Sequence, residues 1–363
     1  MSYFLSLVVV LAPVFSNYVL YDVISIGDFF VFIAAMFLLK HIKISALGIG
    51  SIAIIFLIFL FGFYTLYESG INPGFYRIVF YYFIFFLAIS VLNINFKKFF
   101  RAYIFCAMFF SISLVVQWII YILLNISIPL QLSISYYEPD ALTILDDSFR
   151  SGGWFREPSY FAIFIMPAIF YLQNQKLYLK YFIIVFAGII STSSLVIFIL
   201  LLSFFLFFGG SKQRWLWLTC MIPFLVLLNF VIFDLISDWI LISRVVDIFI
   251  DGGTLNERLL PIFDIIGLSL NIAPNSVAHD LVVSGGDSGS VWYSSAAYSL
   301  ASLGWFGFLF ILLNFLRLGV FVAIVFFGLT LTSNVFSGAF SFFIALAFLG
   351  YKMELKKVNL EPI

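Results

Sequence analysis

Ala102–Leu124, AYIFCAMFFSISLVVQWIIYILL, runs for 23 residues without a charge and follows directly on Lys97, Lys98 and Arg101. A helix crossing the hydrocarbon core of a bilayer takes about 20 apolar residues, so this stretch predicts one crossing. Read outward from it, the chain shows further runs of that kind at Tyr3–Leu20, Val23–Leu39, Ile44–Leu66, Tyr76–Leu92, Pro158–Leu172, Leu216–Phe233 and Val291–Leu316. Leu177–Gly210 and Gly319–Tyr351 are too long for one crossing. They are read as helical hairpins of short or tilted helices, turning at Ser191-Thr192-Ser193-Ser194 and at Thr332-Ser333-Asn334. The expectation is an all-α polytopic integral membrane protein: residues 1–363 form a single transmembrane domain of about twelve helices with both termini cytoplasmic. With 64% hydrophobic and 10% charged residues, the chain has too little polar surface for a soluble globule.

Charge fixes the sidedness. Lys40, Lys43, Lys97, Lys98, Arg101, Lys176, Lys180, Lys212, Arg214, Arg317, Lys352, Lys356 and Lys357 fall in short segments on one side, the cytoplasmic one by the positive-inside rule. Arg77, Arg150, Arg156, Arg244 and Arg258 fall on the other, with no lysine among them. Position explains the first set but not why the second is all arginine. A planar fork that holds phosphate or carboxylate through two parallel bonds is a physical reason to prefer Arg there. Acidic residues agree, since only Glu354 and Glu361 fall inside. The formal net charge is zero and no basic patch forms, which argues against nucleic acid as a partner.

The first apolar stretch lacks a charged n-region and a small-residue cleavage site, so it is read as an uncleaved anchor. Cys106 and Cys220 fall in apolar helices, which leaves no outer disulfide pair and no metal-ligand spacing; both are read as inert buried thiols. The 50 phenylalanines are spread over every apolar run and are read as lipid-facing bulk.

Most polar residues lie in two outer segments, 125–157 and 234–290, long enough in such a chain to point to function. The first ends in Arg150-Ser151-Gly152-Gly153-Trp154-Phe155-Arg156-Glu157-Pro158-Ser159. Pro158 suits the first position of a helix, where its missing donor costs nothing. Arg150 and Arg156 beside that terminus make a candidate anion site. The competing reading pairs both arginines with Asp146, Asp147 or Glu157 and leaves Trp154 and Phe155 as interfacial anchors. The second segment opens with the amphipathic stretch Asp238–Asp251, expected to lie on the outer surface with Arg244 on its polar side. Thr254-Leu255-Asn256-Glu257 has the form of a capping box, which places Arg258 in a first helical turn. Downstream come His279-Asp280 and Asp287, the candidate proton acceptors of this segment.

The pattern Arg150-x-x-Gly153-x-x-x-Glu157-Pro158-Ser159-x-Phe161-Ala162 resembles the bacterial Wzy-type polymerases of O-antigen and other oligosaccharide repeat units. Ser191-Thr192-Ser193-Ser194, and Asp287-Ser288-Gly289 followed by Leu303-Gly304-Trp305-Phe306-Gly307, extend the likeness. The resemblance implies an architecture like that of the GT-C-like membrane glycosyltransferases, set in the bacterial inner membrane with both large loops periplasmic. The implied partner is an undecaprenyl-diphosphate-linked oligosaccharide, with a chain-length regulator as an accessory and no cofactor. On that reading Arg150, Arg156, Arg258 and Arg244 hold the diphosphate, while His279, Asp280, Glu157 or Asp287 takes the acceptor proton. An O-antigen ligase and a lipid-linked sugar flippase or transporter are the alternatives.

Overall fold

The computed structural model of the chain describes residues 2–16, 18–21, 24–38, 83–84, 88, 96–126, 128, 130, 149, 151–155, 157–207, 309, 313, 316 and 339–358. In chain order they form α1 (Tyr3–Phe15), β1 (Val19–Tyr21), β2 (Ile24–Ser25), α2 (Ile26–Leu38), α3 (Phe96–Leu124), α4 (Pro158–Asn174), α5 (Tyr178–Ile190), α6 (Ser194–Phe207) and α7 (Phe340–Val358). These residues are mostly helical, and among them α3 is the one helix both long and apolar enough to cross a membrane. By contact the chain divides into two compact units, one of Met1–Ser16, Ser25–Phe100 and Asp251–Ile363, the other of Asn17–Ile24 and Arg101–Ile250. The expected crossings Ile44–Leu66, Tyr76–Leu92, Leu216–Phe233 and Val291–Leu316 lie outside the described residues, apart from isolated helical positions. So do the turn at Thr332-Ser333-Asn334, the stretch Asp238–Asp251, the capping box at Thr254–Glu257, and Cys220.

Near the start of the chain the sequence reading needs a correction. Tyr3–Leu20 is not one helix: α1 stops at Phe15, and β1 pairs with β2 in a two-stranded sheet, so the fold is not purely α. Local hydrogen bonds explain the break. Pro13 has no N–H to give the ladder, and the Ser16 hydroxyl donates to the Pro13 carbonyl at 2.6 Å, closing the last turn of α1. A capping box then starts α2. The Asp28 amide donates to Ser25 Oγ at 3.1 Å, while Asp28 Oδ2 accepts from the Ser25 amide at 3.0 Å and its hydroxyl at 2.9 Å. A Cβ at Gly27 would lie 2.6 Å from the Ser16 amide nitrogen, so glycine is what lets α2 approach α1 this closely. Gly350 does the same for α7, where a Cβ would come within 2.6 Å of Phe96 at the start of α3.

The second unit follows expectation more closely. Helix α4 begins at Pro158, and the α5–α6 hairpin turns at Ser191–Ser193. At about 20 Å each, these two helices are short, as the length of Leu177–Gly210 demanded. One polar cluster ties the hairpin to α4. Gln173 Nε2 donates to the Ser203 carbonyl at 2.7 Å, Ser203 Oγ donates to Gln173 Oε1 at 2.8 Å, and Tyr181 Oη lies 3.1 Å from Ser203 Oγ. At the far end, Gly188 receives Ile165 and Val196. Helix α4 ends in a Schellman motif, with Lys176 left-handed at φ 56°, its amide on the Gln173 carbonyl and the Leu177 amide on the Leu172 carbonyl at 3.0 Å.

Phenylalanine is not only outward bulk. Phe96, Phe99 and Phe100 are fully buried in the first unit, and Phe155, Phe161, Phe164 and Phe170 in the second. Helix α3 divides its own: Phe105 and Phe109 are exposed with Ile112, Val116 and Ile119, whereas Tyr103, Phe110, Leu114 and Gln117 are covered. Both faces of α3 are apolar, so its covered side is set by packing and not by composition. Cys106 is buried and free, as expected.

Candidate functional site

The register of α3 against α4 locates the motif. Tyr103 meets Phe164 and Ala168, Phe110 meets Phe164 and Phe155, and Gln117 meets Ser151. The two helices are therefore antiparallel, and α4 begins opposite a point just past the middle of α3. At 1.5 Å per residue, α3 runs on for about 15–20 Å past that point. The chain from Ser151 to Phe155 consequently lies alongside Phe110–Gln117 in a recess, and does not project beyond the end of α3. Ser151, Gly152, Gly153 and Phe155 are buried. The reading of Phe155 as an interfacial anchor is thus overturned; its ring is 0% exposed and packs on Phe110, Phe161 and Phe164 at centroid distances of 5.6, 5.8 and 4.9 Å. Trp154 lies 5.9 Å from Phe109 and 6.2 Å from Phe110, and its indole N–H has no hydrogen-bond partner among the described residues.

Three residue types shape the turn into α4. Gly153 adopts φ +63°, the left-handed region where a Cβ is strained, although the space beside it is ordinary, the nearest atom being Leu114 Cδ1 at 3.5 Å. Gly152 is constrained in the opposite way. A Cβ there would meet the Glu157 and Phe155 carbonyl oxygens at 2.7 Å, and these are backbone atoms that cannot turn aside. The Phe155 amide closes the turn on the Gly152 carbonyl at 3.1 Å. Glu157 then stands as N-cap with extended backbone and Pro158 as the first helical residue, as the sequence predicted.

The head of α4 is less open to an anion than its position implied. Pro158 has no N–H, and the Tyr160 and Phe161 amides both donate to the Glu157 carbonyl, at 3.1 and 3.3 Å. The chain's own carboxylate is already there: Glu157 Oε2 accepts from Ser159 Oγ at 3.0 Å. What the arrangement offers is an acceptor oriented by a hydroxyl, in a recess whose walls are aromatic. Arg150 and Arg156 lie outside the described residues, as do Arg244, Arg258, His279, Asp280 and Asp287, so of the predicted site only Glu157 has a described position.

Sequence reasoning missed two polar residues of the recess wall. Gln117 is 1% exposed and hydrogen-bonds both limbs of the first outer segment, at Ile128 and at Ser151. Tyr103 Oη donates to the Phe164 carbonyl and accepts from the Ala168 amide at 2.9 Å, inserting into the α4 ladder just where Pro167 interrupts it. A single Gln or Tyr in an otherwise apolar run was the available signal. Beside the recess, Phe109, Ile112, Val116 and Ile120 of α3 form an apolar groove of about 310 Å³ with Ile128 and Leu130. Comparison with protein-family models, with curated proteins and with solved structures finds no match to this chain.

Proposed function

We propose that the chain is a polytopic inner-membrane glycosyltransferase that polymerises undecaprenyl-diphosphate-linked oligosaccharide repeats at the periplasmic face, by inverting and metal-independent transfer. The observation that carries the reading is the recessed turn Ser151–Phe155 that leads into Glu157 at the head of α4. With Lys97, Lys98 and Arg101 at the cytoplasmic interface and a hydrocarbon core of about 30 Å, the head of α4 lies below the outer headgroups. A group-transfer enzyme benefits from such depth, because water competing with the acceptor hydroxyl is kept from the reacting carbon. The exposed apolar face of α3 suits contact with lipid, and the groove beside the recess suits an isoprenoid tail.

In the proposed step an acceptor sugar hydroxyl attacks the anomeric carbon of the donor chain. The bond from that carbon to the diphosphate oxygen breaks, and its electron pair leaves with the diphosphate. Arg150 and Arg156, with Arg244 and Arg258 from the second segment, stabilise the developing charge. The hydroxyl proton passes to a carboxylate or imidazole, from Glu157, Asp280, His279 or Asp287. Inversion follows from a single displacement.

The class of product tests this. Cells lacking the protein are expected to keep lipid-A core bearing one repeat unit, since a separate ligase still transfers single units. Loss of every capped form, with polymer retained on its carrier, would make the protein a ligase. Absence of outer repeats altogether would make it a flippase. One gel of extracted lipopolysaccharide separates the three.

A further inference from the structure

We infer that Gln117 is a positioning residue: its side-chain amide clamps the two limbs of the first outer segment together and so sets where Ser151 and the turn into α4 are held. The amide is used at both ends. Nε2 donates to the Ile128 carbonyl at 2.6 Å, and Oε1 accepts from Ser151 Oγ at 2.8 Å. Its orientation is not arbitrary. A carbonyl can only accept, so the nitrogen must face Ile128 and the oxygen must face Ser151. Ser151 Oγ in turn accepts from the Gly153 amide at 3.0 Å, which spends its donor on Gln117 and its lone pair on the turn. A relay therefore runs from a helix wall through one side chain into the backbone that leads to Glu157.

Burial sets the strength of the clamp. Gln117 and Ser151 are 1% and 5% exposed, so water cannot take over the bond between them when it breaks. An unpaired amide in such surroundings is costly, which biases the two limbs toward the closed arrangement. Arg150 is joined to Ser151 by one peptide bond, and the Gly152–Phe155 turn begins at the next residue. Fixing Ser151 thus fixes the approach to the motif from both directions. Gln117 touches no reacting atom in this account; it acts through Ser151.

The part of the inference that concerns transfer rests on the polymerase reading, and the experiment keeps the two apart. Full-length protein in lipid nanodiscs, as parent, Gln117→Leu, Ser151→Ala and Ser151→Thr, is followed by hydrogen exchange and by extension of a synthetic lipid-linked repeat. The Gly153 and Phe155 amides should exchange at least about tenfold faster in Gln117→Leu and Ser151→Ala, while α5 and α6 stay as in the parent. Ser151→Thr, which keeps the hydroxyl, should restore protection. Extension should fall about a hundredfold in kcat with little change in KM, because misplacing a transition-state contact costs turnover and not ground-state binding. Unchanged exchange in both disrupting variants would overturn the clamp, as would loss of extension equally severe in Ser151→Thr. A rise in KM alone would make Gln117 a substrate contact and overturn the positioning role. Parent protein that extends nothing would sink the polymerase reading, and the exchange data would still decide the clamp. Should Gln117→Leu fail to accumulate, the Ala and Thr variants at Ser151 carry the test.

Discussion

The two adjacent glycines of the motif are alike in sequence and opposite in physical cause, so alanine substituted at each in turn probes the recess. At Gly153 the added methyl has room, with its nearest neighbour 3.5 Å away, but the backbone at φ +63° is left-handed. The cost of holding an L-residue there is about 1–2 kcal/mol. At Gly152 the methyl would sit 2.6 Å from the Glu157 carbonyl carbon and 2.7 Å from the carbonyl oxygens of Glu157 and Phe155. Relief requires moving the backbone that accepts the Tyr160 and Phe161 amides, which is the first turn of α4. Overpacking alone costs about 1–3 kcal/mol, and losing one or two helix-start hydrogen bonds adds about 1 kcal/mol each. Gly152→Ala should therefore destabilise by roughly 3 kcal/mol or more and Gly153→Ala by about half that or less. Thermal unfolding of purified protein, followed by tryptophan fluorescence, ranks the two against the parent. Equal stability at Gly152→Ala, or a larger loss at Gly153→Ala, would refute the close approach on which the recess depends.

Other consequences can be measured on the same preparations. Tyr103→Phe should lose about 1–3 kcal/mol in the same thermal assay, because the Ala168 amide is left buried without its partner; unchanged stability would mean the ladder closes without the hydroxyl. Thr192→Gly should gain about 1 kcal/mol, since Thr192 holds φ +57°, where β-branched residues are strained; a loss would show that its methyl or hydroxyl contributes more than the strain costs. Arg150→Lys and Arg156→Lys should shorten the polymer seen on gels at normal protein levels, by removing the bidentate fork while keeping the charge, with Arg244→Lys milder. Full-length polymer from all three would relegate the arginines to structural or field charges.

How far the sequence could be read depended on whether the deciding interaction was local. Pro158 announced its helix because a proline's missing donor and fixed φ act within one turn, and the Ser-Thr-Ser-Ser turn announced the α5–α6 hairpin for the same reason. The break after Phe15 was also local, yet apolar windows passed over it. Ser25-x-x-Asp28 is a cap that hydropathy does not register, and the Asp28 carboxylate accepts two charge-assisted bonds from Ser25 at the start of α2. Helix α3 starts at Phe96, earlier than the apolar run, because Lys97, Lys98 and Arg101 are good helix formers. The same holds for α7, which carries on through Lys352. Direction was illegible altogether. Nothing in the composition separates Phe109, which is half exposed, from Phe110, which is buried, because the exposed and covered faces of α3 are equally apolar.

Gln117 and Tyr103 show why the site itself was the least legible part. In an apolar helix each reads as an isolated polar residue, without a motif around it. Their partners lie 34 and 61 residues away along the chain, and both are places where a neighbouring backbone cannot satisfy itself. Pro167 interrupts the α4 ladder, and the irregular chain at Ile128 and Ser151 has no ladder at all. Away from water, each such defect needs a side chain from a regular element, and α3 supplies both. Tyr103 mends a helix, whereas Gln117 is the support for an irregular segment folded against α3. That irregular segment is where backbone is free to be shaped for a ligand, which is why the recess, and not the apolar helices around it, is where transfer is expected to occur.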